Sequence, residues 1–298
     1  MRVLITGING FVGSHISNYL KQKNFEIIGL DITPGSDLTG DISDSDFVLN
    51  ELNKEDFDAV VHLAAMADIK KTTSDPYSTY KVNDYGTLNL LELASRKNVN
   101  RFLYASSANV YGVPVDRPAT EMTPFNPRLP YDYSKVVAEM LVRSYRLHKG
   151  LKISITRSWL LFGEGEPKTR AVPRFVRSCL ANDKIPLFNG GQDVTDPTHA
   201  ENYGRVAELI LTNEKAVGEA FNVGSGNKMS IKEVAERIKK VTNSSSELEL
   251  LPPRTEFEKD PQISYPSIDK LKRLLGYEPI VSFDEGITRV VNWIKKNG

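Results

Sequence analysis

The chain has 298 residues, 40% of them hydrophobic, and its 38 Lys and Arg balance 38 Asp and Glu. That length buries a large core, enough for one large domain with a smaller companion, and the even charge argues against nucleic acid or an anionic membrane as partner. The single cysteine, Cys179, excludes an internal disulfide and points to a reducing, cytoplasmic setting. No apolar run approaches membrane-spanning length, and with a strand predicted from residue 2 no leader segment is expected ahead of it.

Arg2–Thr6 is a short apolar run with β-branched members, which predicts a buried strand. Gly7, Gly10 and Gly13 then make a G-x-x-G-x-x-G turn, and Phe11, Val12, Ile16, Tyr19 and Leu20 mark one face of a helix. A strand, a glycine turn and a helix start suit the pyrophosphate of a dinucleotide. The glycines let the backbone approach closely, and the helix start offers free N–H groups. The second strand, Glu26–Leu30, ends at Asp31, about 20 residues beyond the glycines. A carboxylate there binds the ribose hydroxyls of NAD and repels the 2′-phosphate of NADP. The context thus predicts an NAD site.

Residues 32–35 read as a turn, and Gly40-Asp41-Ile42 closes a short strand. Asp41 has two readings: it reaches the adenine, or it caps a helix over Ser43–Leu52. Ala59–Ala65 is the next buried strand, ending in small residues against which a cofactor can lie; His62 reads as a packed strand residue. His15, His62, His148 and His199 show no metal-ligand spacing, so no metal is expected. Residues 74–97 read as loop then helix. Arg101–Ala105 is a strand that delivers Ser106 to Gly112 to its carboxyl end, where open α/β sheets bind ligands. A proline-rich loop, 114–130, leads to Tyr131-Asp-Tyr-Ser-Lys135 at the start of a helix, and Lys152–Thr156 is a sixth strand ending at Arg157.

Strand and helix alternate throughout this half, which predicts a parallel sheet covered on both faces. The later half is less regular. Helices are expected over 173–180, 231–241 and 287–296, with a strand at 221–224 that returns to the first sheet. Cys179 lies among Val172, Phe175, Val176 and Leu180, which predicts a packing role, and residues 242–247 form a polar loop. The expected fold is a Rossmann-type doubly wound parallel sheet over 1–160, with a smaller, partly interleaved α/β substrate domain over 161–298.

Tyr131 and Lys135 are i and i+4 and share a helix face. Bringing a tyrosine from a pKa near 10 to about 7 takes roughly 4 kcal/mol of phenolate stabilisation, which a nearby ammonium and the positive nicotinamide supply. Such a phenolate accepts a hydroxyl proton while the cofactor is reduced, and Ser107 can bond the same substrate oxygen.

The motifs together resemble the extended short-chain dehydrogenase/reductases, in the NAD-dependent epimerase/dehydratase family of nucleotide-sugar enzymes. The matching stretches are TGINGFVGSH at 6–15, HLAA at 62–65, SDPYSTYKVNDYGTLNLLE at 74–92, SSANVYG at 106–112, PYDYSK at 130–135, FNVGSG at 221–226 and LGYEP at 275–279. The resemblance places Phe11 and Val12 at the pyrophosphate with Gly7, Asn9, Gly10 and Gly13. It places Asp31 and Ile32 at the adenosine ribose and Asp41 and Ile42 at the adenine. Leu63, Ala64, Ala65, Asn83 and Trp159 line the cofactor, and Ser107, Tyr131 and Lys135 match the catalytic triad with Tyr131 as base. It also implies a homodimer built on helices 76–97 and 131–149.

Dehydratases of the family usually carry Asp-Glu where this chain has Ala108 and Asn109. Ser-Ser-Ala-x-Val-Tyr-Gly is similar to the sugar 4-epimerases. Leu160 stands where family epimerases usually have Asn, within a segment closer to the 4-keto-deoxysugar reductases. Thr195 replaces a common phosphate-binding Arg, and Arg-x-Gly-Asp reads Arg254-Thr-Glu-Phe257. Arg254 clamps the substrate diphosphate or is an exposed loop arginine. The resemblance therefore implies an NAD-dependent nucleotide-sugar 4-epimerase of the UDP-glucose/UDP-galactose type, working through a transient 4-keto sugar. The alternatives are an NAD(P)-dependent 4-keto-deoxysugar reductase or other sugar dehydrogenase, and a non-catalytic dinucleotide sensor.

Overall fold

The computed structural model describes residues 1–253 and 259–297. In chain order its strands are β1 (Arg2–Thr6), β2 (Glu26–Asp31), β3 (Leu38–Thr39), β4 (Ala59–His62), β5 (Arg101–Ser107), β6 (Ile153–Ser158), β7 (Leu161–Phe162), β8 (Ile185–Phe188), β9 (Val194–Thr195), β10 (Thr198–His199), β11 (Ala220–Val223), β12 (Met229–Ser230) and β13 (Leu248–Leu251). The helices are α1 (Phe11–Gln22), α2 (Ile69–Ser74), α3 (Pro76–Tyr80), α4 (Gly86–Lys97), α5 (Pro130–Lys149), α6 (Ala171–Ala181), α7 (Ala200–Thr212), α8 (Ile231–Thr242), α9 (Asp269–Leu275) and α10 (Phe283–Asn297). Seven strands form one sheet in the order β11-β6-β5-β4-β1-β2-β3, every pair parallel. The chain starts in the middle, runs outward to β3, then crosses back to β4. That reversal leaves a crevice beyond the carboxyl ends of β1 and β4.

Period-2 alternation in the central strands feeds two cores. Leu4 of β1 packs with Val60, Phe102, Leu90 of α4 and Val142 of α5. Val3 and Ile5 pack on the other face with Ile16 of α1, Val206 of α7 and Leu271 of α9. Each such side chain contributes roughly 1.5–3 kcal/mol of burial. A third core joins Phe162, Phe175 of α6, Val234 of α8 and Val290 of α10. Cys179 is buried there as a free thiol, which agrees with its packing role.

Two features depart from the sequence reading. Helix α7 carries Gly204 in its middle, which masks it in a propensity reading. A Cβ at Gly204 would lie 2.6 Å from the Tyr19 Cβ, so the glycine lets α7 seat directly on α1. The segment after Asp41 forms short π and 3-10 turns over Phe47–Glu51 and Leu52–Lys54. Its cap is Asp44, whose Oδ1 accepts from the Asp46 and Phe47 amides at 2.9 and 3.1 Å.

Candidate functional site

The crevice opens into a cavity of about 1680 Å³. At its floor Gly7, with φ of +74°, turns the chain out of β1, and its amide donates to the Leu30 carbonyl at 2.8 Å. A Cβ on Gly7 would come within 2.9 Å of the Ala64 backbone, and one on Gly13 would overlap the Gly7 carbonyl. Among the described residues, the start of α1 has no side-chain cap and no acidic residue in its first turn. Its first amides therefore have no anion of the chain's own competing for them, and they suit a phosphate. Asn9, Gly10, Phe11 and Val12 complete this wall.

Asp31 ends β2 on the same cavity. Its Oδ2 accepts from the Asn9 amide at 3.0 Å, and its Oδ1 accepts from the Thr33 amide and hydroxyl at 2.9 and 2.8 Å. Those bonds fix a carboxylate at the cavity rim beside Ile32. Asp41 and Ile42 also line the cavity. Asp41 accepts from the Ser43 amide at 2.8 Å, a turn bond of its own, so the helix-cap reading passes to Asp44.

Leu63, Ala64 and Ala65 form the wall beyond β4. Asn83 stands behind it: fully buried, its Oδ1 accepts from the Met66 amide at 2.8 Å and its Nδ2 donates to the Met66 carbonyl at 3.0 Å and to Ser134 Oγ at 2.9 Å. It braces the wall instead of facing the cavity. His62 is buried between Thr6 Oγ1 (2.8 Å) and Thr87 Oγ1 (2.9 Å), and burial pushes its pKa down to about 3. Among the described residues no cluster of His, Cys, Asp and Glu is arranged to hold a metal.

Ser107, at the end of β5, and Tyr131, in the first turn of α5, meet at the cavity. Asp132 sets the start of α5, accepting from the Arg128 and Leu129 amides at 3.1 and 3.0 Å and from Asn109 Nδ2 at 3.0 Å. Burial raises the Tyr131 phenol above its ordinary 10, opposed by a hydrogen bond from Ser107 and by the Arg170 charge. Lys135 is buried beneath, its Nζ donating to the Ala105 carbonyl at 2.8 Å and lying 5.9 Å from the Tyr131 ring centroid. The lysine expected to lower the tyrosine thus stands under its ring, while Ser107 and Arg170 act on the phenol in that direction.

The far wall comes from the chain beyond β6. Trp159 stacks on Tyr111 at 5.7 Å and donates to Ser264 Oγ at 3.0 Å. Leu160 and Thr195 also line the cavity. The neighbouring Asp196 is consumed by the 224–226 turn, accepting from the Ser225 and Gly226 amides at 2.8 Å each. Arg254 lies outside the described residues. Sequence reading missed two wall residues, Glu166 and Arg170. Glu166 is buried, its Oε2 has no hydrogen-bond partner among the described residues, and burial pushes it up to about 8. The exposed Arg170 side chain makes no hydrogen bond or ion pair among the described residues. The only signal for the pair was their place in a Gly- and Pro-bearing loop after β7.

Comparison with known proteins supplies the rest. The family model described as GDP-mannose 4,6 dehydratase matches residues 4–290. A putative UDP-glucose 4-epimerase of Methanocaldococcus jannaschii is 32% identical over 309 residues, covering 99% of each chain. The mouse dTDP-D-glucose 4,6-dehydratase is 30% identical, over 99% of this chain and 89% of its own. The Thermus thermophilus UDP-glucose 4-epimerase, solved as a complex with NAD, superposes with a TM-score of 0.88 at 28% identity over the whole of both chains.

Proposed function

The chain belongs to the family of GDP-mannose 4,6-dehydratase and the NAD-dependent nucleotide-sugar epimerases and dehydratases, and from that premise we propose that it is an NAD-dependent nucleotide-sugar 4-epimerase of the UDP-glucose/UDP-galactose type. The observation that carries this is the wall beyond Ser107. Ala108 is buried there, and the Asn109 side-chain amide is spent on Asp132. No carboxyl pair stands where the family's dehydratases carry Asp-Glu, so acid–base removal of water has no residues to perform it at that wall.

The residues present fit the cofactor: a glycine cradle that a Cβ would fill, uncapped helix amides, and a fixed carboxylate at the ribose position. The Gly7–Gly13 turn would hold the pyrophosphate, Asp31 the adenosine ribose, Asp41 and Ile42 the adenine, and Leu63 to Ala65 the apolar wall. When bound, NAD supplies reversible two-electron oxidation of the sugar carbon. Tyr131 takes the proton from the C4 hydroxyl and later returns it. Ser107 shares that oxygen and holds the phenol in register. Lys135 keeps a positive charge beneath the ring, which favours the phenolate. The transient 4-keto sugar turns in the cavity between the two half-reactions, and reduction on its other face inverts C4.

Incubation with UDP-glucose, dTDP-glucose and GDP-mannose, followed at 340 nm and by product chromatography, tests this. The expected result is an epimer with no net absorbance change. A net change would identify an oxidoreductase, and the 4-keto-deoxysugar reductase is the second reading because Leu160 puts an apolar side chain on the sugar wall. A 4-keto-6-deoxy product would identify a dehydratase, and binding without turnover a sensor. The proposed assembly is a homodimer, since Tyr77, Tyr80 and Tyr85 with Tyr133, Val137 and Met140 leave an exposed apolar face on α3, α4's entry and α5. A reducing cytoplasm is its proposed setting, since no helix among the described residues is long and apolar enough to cross a membrane and Cys179 is a free thiol.

A further inference from the structure

Lys135 is buried, and an ammonium in that position needs a nearby negative charge to stay protonated. Its one hydrogen bond among the described residues goes to the uncharged Ala105 carbonyl, at 2.8 Å. The titratable groups that face it come from four elements. Glu139, one turn along α5, is committed elsewhere: Arg157 donates to it through Nε at 2.9 Å and Nη2 at 2.6 Å. Tyr104 of β5 lies with its ring centroid 5.0 Å from the ammonium, and burial raises its phenol, so it stays neutral. His62 of β4 also stays neutral, its pKa pushed down to about 3. Tyr131 is the phenol the site is to activate.

The remaining group is Asp84, in the π turn Lys81–Tyr85 that packs on α5. The same turn is tied to α5 through Asn83 Nδ2 and Ser134 Oγ at 2.9 Å. Buried Asp84 Oδ1 has no hydrogen-bond partner among the described residues, and neither does the Tyr104 hydroxyl. A carboxylate oxygen buried without a bond is costly and calls for a reason other than packing. A π turn adds a residue to the helical repeat, and such turns recur at functional positions.

We propose that Asp84 is a positioning residue for Lys135: its half-buried, uncommitted carboxylate is the counter-charge that keeps the lysine protonated beneath Tyr131. The proposal rests on reading Lys135 as the partner of Tyr131. Its electrostatics agree. Burial pulls Lys135 down to about 8, and Asp84 is the foremost group raising it, ahead of Glu139. Burial pushes Asp84 up to about 7, and the Lys135 charge is what opposes that; Tyr80 feels the same carboxylate from α3.

The test is direct titration of Lys135 in protein labelled with ¹³C at the lysine ε-carbons, the Lys135 resonance being assigned by its loss in Lys135→Met. In the wild type it should titrate well below the surface lysines near 10.4. Asp84→Asn should lower that midpoint further, by about one pH unit or more, and Asp84→Glu should restore it to within a few tenths. A midpoint that stays put in Asp84→Asn, or one that Asp84→Glu fails to restore although the variant is folded by circular dichroism, overturns the proposal. As a second measurement, Asp84→Asn should change the melting temperature at pH 8 differently in the wild-type and Lys135→Met backgrounds, and equal changes would also overturn it. Neither measurement uses cofactor or substrate. Failure of the epimerase reading would show instead as no epimer formed from UDP-glucose by the wild type, whereas unimpaired turnover by Lys135→Met would remove Lys135 as the partner of Tyr131.

Discussion

Replacing Tyr131 with phenylalanine removes one oxygen from the cavity and leaves the ring in place. The structure sets the size of each consequence. Ser107 loses the phenol but its Oγ still accepts from the Asn109 amide at 3.2 Å, so no buried acceptor is stranded and folding should change by less than about 1 kcal/mol. Catalysis loses its base. General-base removal costs about 10²–10⁴-fold, which is roughly 3–5 kcal/mol of barrier, and the loss should fall on kcat because the proton moves only in the transition state. The glycine turn and Asp31 are untouched, so NAD affinity should hold within about twofold. Tyr133, 48% exposed and two residues along the helix, is the internal control. The assay pairs product chromatography with a titration of NAD against intrinsic fluorescence. Turnover by Tyr131→Phe within threefold of wild type, or a collapse in Tyr133→Phe, would refute the reasoning.

Asp31→Ala removes the carboxylate fixed by the Asn9 and Thr33 amides. It should weaken NAD by about 10–100-fold, the worth of charge-assisted bonds of roughly 1.5–3 kcal/mol, and raise relative affinity for NADP; equal NAD and NADP binding by the wild type would sink that assignment. Lys135→Ala should lower both NAD affinity and rate and move the pH–rate profile alkaline, in contrast to Tyr131→Phe. His62 stays neutral in the fold down to about pH 3, whereas the unfolded chain takes up its proton near 6.5. Stability from this difference is therefore complete above about pH 7 and drains as pH falls from 6.5, by about 2 kcal/mol at pH 5. Urea denaturation should show that decline flattened in His62→Gln, and an unchanged acid limb would count against it. Sedimentation at micromolar concentration should show a dimer that Tyr133→Glu with Met140→Glu dissociates; a wild-type monomer would remove the dimer proposal.

What could be read from the sequence was what local pattern encodes. The β1–glycine–α1 unit declares itself because strand period, glycines and helix face follow one another within Arg2–Leu20, and Tyr131 with Lys135 because i,i+4 spacing fixes a shared face. The half of the chain after β6 was harder. Two of its three small sheets pair only two residues at a time, as Val194–Thr195 does with Met229–Ser230, too short for a period to show. The Gly204 that weakens α7 in isolation is what docks it on Tyr19. Residues defined by long-range partners were not legible. Asn83 is a brace because Met66 lies opposite it, and Glu166 matters only because the fold buries it on the cavity wall. Asp41 and Asp44 are both turn-forming aspartates, and nothing short of the helix geometry told which would cap.

Strand β11 pairs in register with β6, Ala220 beside Ile155 and Val223 beside Ser158, yet the chain makes residues 159–219 between them. During synthesis the outer edge of β6 therefore waits, its amides and carbonyls unclaimed, until a strand from beyond residue 219 arrives. An unclaimed edge is a template for any other extended chain, so this interval is when the nascent protein is open to mispairing and to chaperone capture. The same wiring governs how the molecule can be dissected. A fragment ending near residue 160 would carry a permanent raw edge, and one starting there would carry a strand without a sheet, so a stable piece has to keep residues 220–223 together with β6.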